Sequence, residues 1–310
     1  MGTGDIGLPA LRWLLDTPGY DVVAAVTQPD KPFGRRQELL ASPVKQLALQ
    51  RSVPVLQPVK MRAPEVVAQV KALESDVIVV MAYGQILPPA VLEAPRLACL
   101  NLHASLLPRW RGAAPIQAAI EAGDLKTGIT VMYMAAGLDT GDILLMKETT
   151  IRQDDTGGIL HDRLGLLAAE ALADALPLLS AGTAPRVPQD EAHANYAAKL
   201  SRENGLVDWS RTPAEIDRRI RAMSPWPGAH TTFPSANGAR MLKIHSCAPL
   251  EGEWGLPGIV VRADEQGIVV GAGHGAVVLR EIQLEGRKRM PAGEFLRGHP
   301  LAPGTMLGGV

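Results

Sequence analysis

The sequence predicts an α/β chain: a doubly wound parallel-sheet domain, then a small OB-like β-barrel. Three observations lead there. Apolar runs at residues 76–82 (DVIVVMA) and 98–102 (ACLNL) read as strands buried on both faces. Helical patterns alternate with strand patterns through Thr149, as parallel connections require. Beyond Gly205 the texture changes to five short strands set off by glycine turns. The expected division is an N-terminal domain over 1–184, a polar linker over 185–204 and a C-terminal domain over 205–310.

The elements follow in order. The opening MGTGDIG carries Gly2, Gly4 and Gly7 at dinucleotide-loop spacing, but that motif needs a strand before it, so a nicotinamide cofactor is not expected. A helix over 8–15 leads to a strand over 21–27. The loop over 28–37 is broken by proline and glycine and carries Arg35 and Arg36. It reads either as solvated surface or as an arm whose guanidinium forks match phosphates. Ser42 with Pro43 starts a helix, a strand spans 53–56, and a helix spans 63–73. The strand over 76–82 runs into Tyr83–Pro88, at a carboxyl end where open α/β sheets hold ligands, so its backbone could cradle a flat heterocycle.

The strand over 98–102 ends in Asn101 and His103, Pro108 stops it, and Arg109–Gly112 form a basic turn before a helix over 113–122. A strand over 128–134 precedes the glycine-flanked acidic loop GLDTGD, residues 137–142. A long helix over 157–179 closes the domain. After the linker come a helix over 213–223 and strands over 229–233, 241–248, 258–263, 267–271 and 276–283. Arg287, Lys288 and Arg289 are the only basic cluster of this part.

Composition bounds the function. The 310 residues, 46% hydrophobic, are enough for two cores. No apolar run reaches membrane-span length and no signal peptide opens the chain. The two cysteines support neither a disulfide framework nor a cysteine zinc site, so a cytoplasmic location is expected. Net charge is −1, which argues against a broad electrostatic grip on nucleic acid. From Ala198 onward the charge is +3, against −4 before it, so a polyanion contact would be local.

Chemistry concentrates at two strand ends. Asn101 and His103 are two apart on a strand and share a face, an amide donor beside a proton carrier. A carboxylate from the acidic loop would fix the imidazole's tautomer; Asp139 and Asp142 compete for that place. Arg109 and Arg111 read as structural or phosphate-facing, because a permanent cation transfers no proton. Ser105 has no base at triad spacing. The other six histidines show no metal spacing, and no metal is expected.

The strings NLHASLLPRWRGAAPIQ (101–117) and GLDTGD resemble the formyltransferases that use 10-formyltetrahydrofolate. The long SLLPRWRGAAPI form is similar to the members that modify tRNA; members acting on small amines share only Asn-x-His and the aspartate. DW, SPWPG and GRKRM in the C-terminal part also look like the tRNA-modifying members. The resemblance runs over almost the whole chain. It implies a Rossmann-like catalytic domain and a tRNA-contacting barrel. The implied reaction moves a formyl group from 10-formyltetrahydrofolate to the α-amino group of methionyl initiator tRNA, for translation initiation. Asn101, His103 and Asp139 match the family's catalytic positions. Folate contacts are implied at Met81, Ala82, Tyr83, Gly84, Gln85, Ile86, Leu87, Ser105, Leu106, Leu107 and Pro108. RNA contacts are implied at Arg35, Arg36, Lys199, Arg287, Lys288 and Arg289, although Gln37-Glu38-Leu39 stands where relatives carry more lysine. The resemblance also implies an apolar strand ahead of the Gly-Thr turn, so the sheet is expected to lack a central member. No self-pairing element appears, and a monomer is expected.

Overall fold

The computed structural model describes residues 1–33, 38–235 and 238–308. Strands and helices are interspersed through the first 150 residues. The elements are α1 (Leu8–Asp16), β1 (Ala25–Val26), β2 (Lys31–Phe33), β3 (Glu38–Leu40), α2 (Pro43–Gln50), β4 (Val55–Leu56), α3 (Pro64–Lys71) and β5 (Val77–Val80). They continue with α4 (Pro89–Leu92), β6 (Ala98–His103), β7 (Arg111–Gly112), α5 (Pro115–Ala122), β8 (Lys126–Tyr133), β9 (Ile143–Thr150), α6 (Gly157–Ser180) and β10 (Tyr196–Ala197). β1 to β3, β6 and β7, and β8 and β9 follow one another without a helix between. Local signals explain the helix starts. Ser42 Oγ accepts from Lys45 N at 3.1 Å at the head of α2, and proline occupies the first turn of α1, α2 and α3, where a missing N–H costs nothing.

The central strands pair in the order β5-β6-β8-β9, and β1 pairs with β4. β1 with β4 and β5 with β6 are parallel, as expected. β8 and β9 depart from the expected parallel arrangement: β6–β8 and β8–β9 are antiparallel. For β8–β9 the reason is connection length: residues 134–142 form a hairpin-like loop, too short for a crossover. Between β6 and β8, residues 104–125 double back through β7 and α5 to the antiparallel partner. β8 is buried from Thr127 to Tyr133, so a mixed sheet is as well covered as a parallel one.

Gly2 pairs in parallel with Met81, donates to Val26 O at 2.9 Å, and is followed by Thr3 N donating to Ala82 O at 3.1 Å. Residues 1–3 thus make a short rung between β1 and β5. Beyond that rung a cavity of about 590 Å³ continues between residues 22–26 and 77–79, lined by Leu11, Val70 and Leu176 from the helices. The core beside it gathers Val26, Met61, Val70, Ile78, Val80, Tyr83 and Val91.

The chain divides into two compact units. The first comprises Met1–Pro115, Lys126–Thr150 and His161–Ala197; the second comprises Ile116–Leu125, Ile151–Leu160 and Ala198–Val310. Residues 185–197, expected within the linker, therefore belong to the first unit. They are held by β10 pairing with β7 and by Val187 exchanging two backbone hydrogen bonds with Ile143.

The second unit holds α7 (Pro213–Ala222), β11 (His230–Phe233), β12 (Arg240–Leu250), β13 (Val260–Asp264), β14 (Gly267–Gly271), β15 (Ala276–Leu284), β16 (Met290–Pro291) and α8 (Ala292–Gly298). Thr212 and Glu215 form a reciprocal capping box at the head of α7. The strands pair antiparallel in the order β11-β12-β15-β14-β13, with β16 beside β15. The five expected strands are β11 to β15, each within a few residues of its predicted span.

Candidate active site

β6 carries Asn101 and His103 to its carboxyl end, and the loop after β8 carries Asp139 toward them. Asn101 Nδ2 donates to Asp139 Oδ1 at 3.3 Å, and His103 Nδ1 lies 3.7 Å from Asp139 Oδ2. The two residues of β6 therefore do meet one partner, as their shared strand parity predicts. The imidazole and the carboxylate stand just beyond hydrogen-bond reach. The carboxylate is instead fixed by Gly112 N, which donates to Oδ2 at 2.8 Å. Asp142 does not compete: its carboxylate lies 3.9 Å from Arg186, and its carbonyl accepts from Tyr133 N.

His103 is 6% exposed, and its Nε2 is 2.8 Å from the carbonyl of Trp110. A carbonyl only accepts, so Nε2 carries the hydrogen and Nδ1 is the position that gains or loses a proton, facing Asp139. Trp110 offers that carbonyl from a left-handed conformation, φ +62, and Asp139 has φ +53. Such backbones cost free energy and persist only where neighbours hold them. Close packing in the acidic loop also demands glycine at 141, where a Cβ would lie 1.7 Å from Tyr133 O.

Arg111 is fully buried and structural. Its Nη1 and Nη2 bind Glu191 Oε2 and Oε1 at 2.9 and 2.7 Å, and its Nε and Nη2 bind Gln189 Oε1 at 3.0 and 2.9 Å. The guanidinium holds the Glu191 carboxyl below the usual carboxylate range. Arg109 lies with its guanidinium 4.5 Å from the Trp110 ring centre. Gln189 and Asn195 are site-supporting residues that the sequence hides inside a polar stretch with no periodicity.

The loop after β5 alternates. Met81, Tyr83 and Leu87 are buried and build it, while Ala82, Gly84 and Ile86 face outward, with φ +48 at Ala82 and +79 at Gly84. The Tyr83 side chain packs in the core cluster, and burial pushes its phenol up to about 12. Gln85 is tied down by Met61 N at 2.9 Å and Pro58 O at 2.9 Å. The outward face of this loop is therefore backbone plus Ile86, 89% exposed; Leu138, beside Asp139, is 62% exposed. Both loops thus leave an apolar side chain in water.

Ser105 is fully buried; its hydroxyl donates to Arg109 O at 2.6 Å and its carbonyl accepts from Thr130 Oγ1 at 2.7 Å. Thr130 Oγ1 also accepts from Leu107 N at 3.1 Å. Ser105 and Leu107 thus have their polar groups spent in building the turn, whereas Leu106 and Pro108 are half-buried.

Arg35 and Arg36 lie outside the described residues. Lys199, Arg287, Lys288 and Arg289 are exposed in the second unit, Arg289 paired with Glu281. Among the described residues no three metal-ligating side chains converge, and no helix is long and apolar enough to cross a membrane.

Comparison with known proteins gives the family. The formyl transferase family model matches residues 13–176, and the formyl transferase C-terminal domain model matches residues 199–300. A methionyl-tRNA formyltransferase of Geotalea daltonii is 50% identical over 308 residues, covering 99% of this chain and 97% of the relative. One of Stutzerimonas stutzeri is 51% identical over 309 residues, covering 99% and 96%. Among solved structures, an N-formyltransferase from Helicobacter canadensis, in complex with folinic acid and dTDP-3-aminofucose, superposes with a TM-score of 0.64 at 16% identity, over 90% of this chain and 96% of that one. HypX from Aquifex aeolicus in complex with tetrahydrofolic acid superposes with a TM-score of 0.57 at 20% identity, over 84% of this chain and 47% of its own. At those identities the two structures speak for the fold alone. Two family models spanning most of the chain, and half-identical relatives aligned along nearly all of it, show that the chain belongs to the formyl transferase family.

Proposed function

We propose that the chain transfers the formyl group of 10-formyltetrahydrofolate to the α-amino group of methionine carried on initiator tRNA, as a cytoplasmic monomer serving translation initiation. The observation that carries this reading is the convergence of Asn101, His103 and Asp139 at one strand end in a chain half-identical to methionyl-tRNA formyltransferases.

The co-substrate, when bound, supplies an electrophilic formyl carbon. Asn101 has a second amide hydrogen beyond the one given to Asp139, and it stabilises the negative charge that develops on the formyl oxygen. His103, protonated at Nδ1, adds to that stabilisation. Asp139 orients the ring and, through water, assists removal of the proton from the attacking amine. The carbon–nitrogen bond to the amine forms as the bond to the folate nitrogen breaks, and the proton released by the amine balances the one that this nitrogen takes up. Ala82, Gly84 and Ile86, with Leu106 and Pro108, contact the folate; Met81, Tyr83, Gln85, Leu87, Ser105 and Leu107 shape that surface from behind.

The C-terminal part, read as an OB-like barrel over 205–310, contacts the tRNA through Arg287, Lys288 and Arg289, with Lys199 beside its start. Arg35 and Arg36 contact the acceptor end. The exposure of the four C-terminal cations supports their role. Substituting Arg287 and Lys288 to alanine tests it: KM for charged tRNA should rise while formyl donor KM holds. An unchanged tRNA KM at 0.15 M salt would remove the second unit's cluster from the interface.

A further inference from the structure

The strap of residues 187–197 reaches both left-handed residues of the site. Gln189 Nε2 donates to the carbonyls of Asp139 and Gly141, each at 2.8 Å, while its Oε1 accepts from Arg111 Nε and Nη2. Guanidinium only donates and carbonyls only accept, so this orientation of the amide is chemically fixed. Both amide hydrogens and the oxygen are spent. Asn195 Oδ1 accepts from Trp110 N at 2.5 Å, and Asn195 O accepts from Arg111 N at 3.0 Å. Trp110 in turn offers His103 its carbonyl.

From this geometry we infer that Gln189 is a positioning residue for Asp139: it holds the aspartate's left-handed backbone in the one arrangement that presents the carboxylate to Asn101, Gly112 N–H and the imidazole. Arg111, locked by Glu191, presses the amide oxygen so that both hydrogens point at the acidic loop. The inference rests on the catalytic reading of Asp139. Its chemical content is specific. Without the two donated hydrogen bonds, the carbonyls of 139 and 141 turn toward water, and the carboxylate leaves the imidazole whose proton it supports. Burial alone would not couple Gln189 to catalysis; sharing two carbonyls with the catalytic loop does.

The test is a double-mutant cycle on formyl transfer to charged initiator tRNA. Gln189→Glu keeps an oxygen for Arg111 but removes both donors, and Gln189→Met, similar in length and apolar, repeats the test should the glutamate variant not fold. Each is made alone and with Asp139→Asn, and thermal melting checks folding. The expected result is a loss in kcat of about tenfold to a hundredfold with both KM values within twofold. In the D139N background the same change should cost less than twofold, because its target is already gone. A kcat within twofold of the wild type, or an equal loss in both backgrounds, overturns the positioning role. If D139N itself leaves kcat intact, the underlying catalytic reading fails instead, and the cycle tells the two failures apart.

Discussion

Replacing Asp139 by asparagine is the most informative single change, because it removes a charge while keeping a hydrogen-bonding side chain of the same shape. The carboxylate lies 3.7 Å from His103 Nδ1, and both side chains are largely buried, with 12% and 6% exposed. At that distance and an effective dielectric of about 20, a carboxylate and a protonated ring attract by roughly 4 kcal/mol. If His103 acts as a cation near the formyl oxygen, most of that support disappears in D139N, and formyl transfer should slow by about three powers of ten. Folding should suffer much less. The introduced amide oxygen still accepts from Gly112 N, and Asn101 can turn its own amide to match, so the cost should stay near ~1 kcal/mol. Single-turnover formylation with saturating donor and charged tRNA reads the first quantity, and a urea melt reads the second. A folded D139N protein within fivefold of the wild-type rate would refute the electrostatic role.

Other consequences follow from the same geometry. Gly141→Ala puts a Cβ against Tyr133 O, so the acidic loop must shift; urea unfolding should show a loss of more than about 2 kcal/mol, and a neutral result would mean that the loop bends freely. Burial pushes the Cys99 thiol up to about 12 and raises Cys247 as well, with Asp217 adding to the latter. Neither should react with iodoacetamide at pH 8 in the native protein and both should react in urea, as read by mass spectrometry; fast native labelling would contradict their environments. Arg111 depresses the Glu191 carboxyl and Lys45 depresses that of Asp30. Carboxylates lowered by folding contribute stability that is full above their unfolded values and is lost as pH falls through the folded ones. The urea midpoint should therefore drop on acidification below about pH 5, less steeply in Glu191→Gln, and a midpoint equal at pH 3 and pH 6 would contradict the pairing.

Much of this was legible in the residues. Apolar runs located β5 and β6, and strand parity put Asn101 and His103 on one face, because those signals depend on a few neighbouring side chains. The direction of β8 was not legible. It depends on how the 104–125 segment returns to β6, which periodicity does not encode. The strap was hidden for a related reason. Residues 187–197 lack apolar periodicity and read as linker, yet they earn their order from hydrogen bonds to Arg111, Asp139 and Trp110, each roughly fifty or more residues away in sequence. Arg111 shows the limit of composition: a basic residue in a basic turn read as structural or phosphate-facing, and only its partners Glu191 and Gln189 decide for the structural place. Strand and loop patterns left Asp139 and Asp142 competing, and only the family motif separated them; in the structure the Asp139 carboxylate is the one that meets Gly112 N–H and Asn101.

The central claim is formyl transfer to methionyl initiator tRNA at Asn101, His103 and Asp139. Transfer of label from 10-formyltetrahydrofolate, with charged initiator tRNA set against small amines, tests it directly when wild type and His103→Ala are compared. Labelled methionyl-tRNA from the wild type, at least a hundredfold reduced in a folded H103A protein, is the predicted result. Label appearing only on a small amine, or an H103A rate equal to that of the wild type, would contradict it.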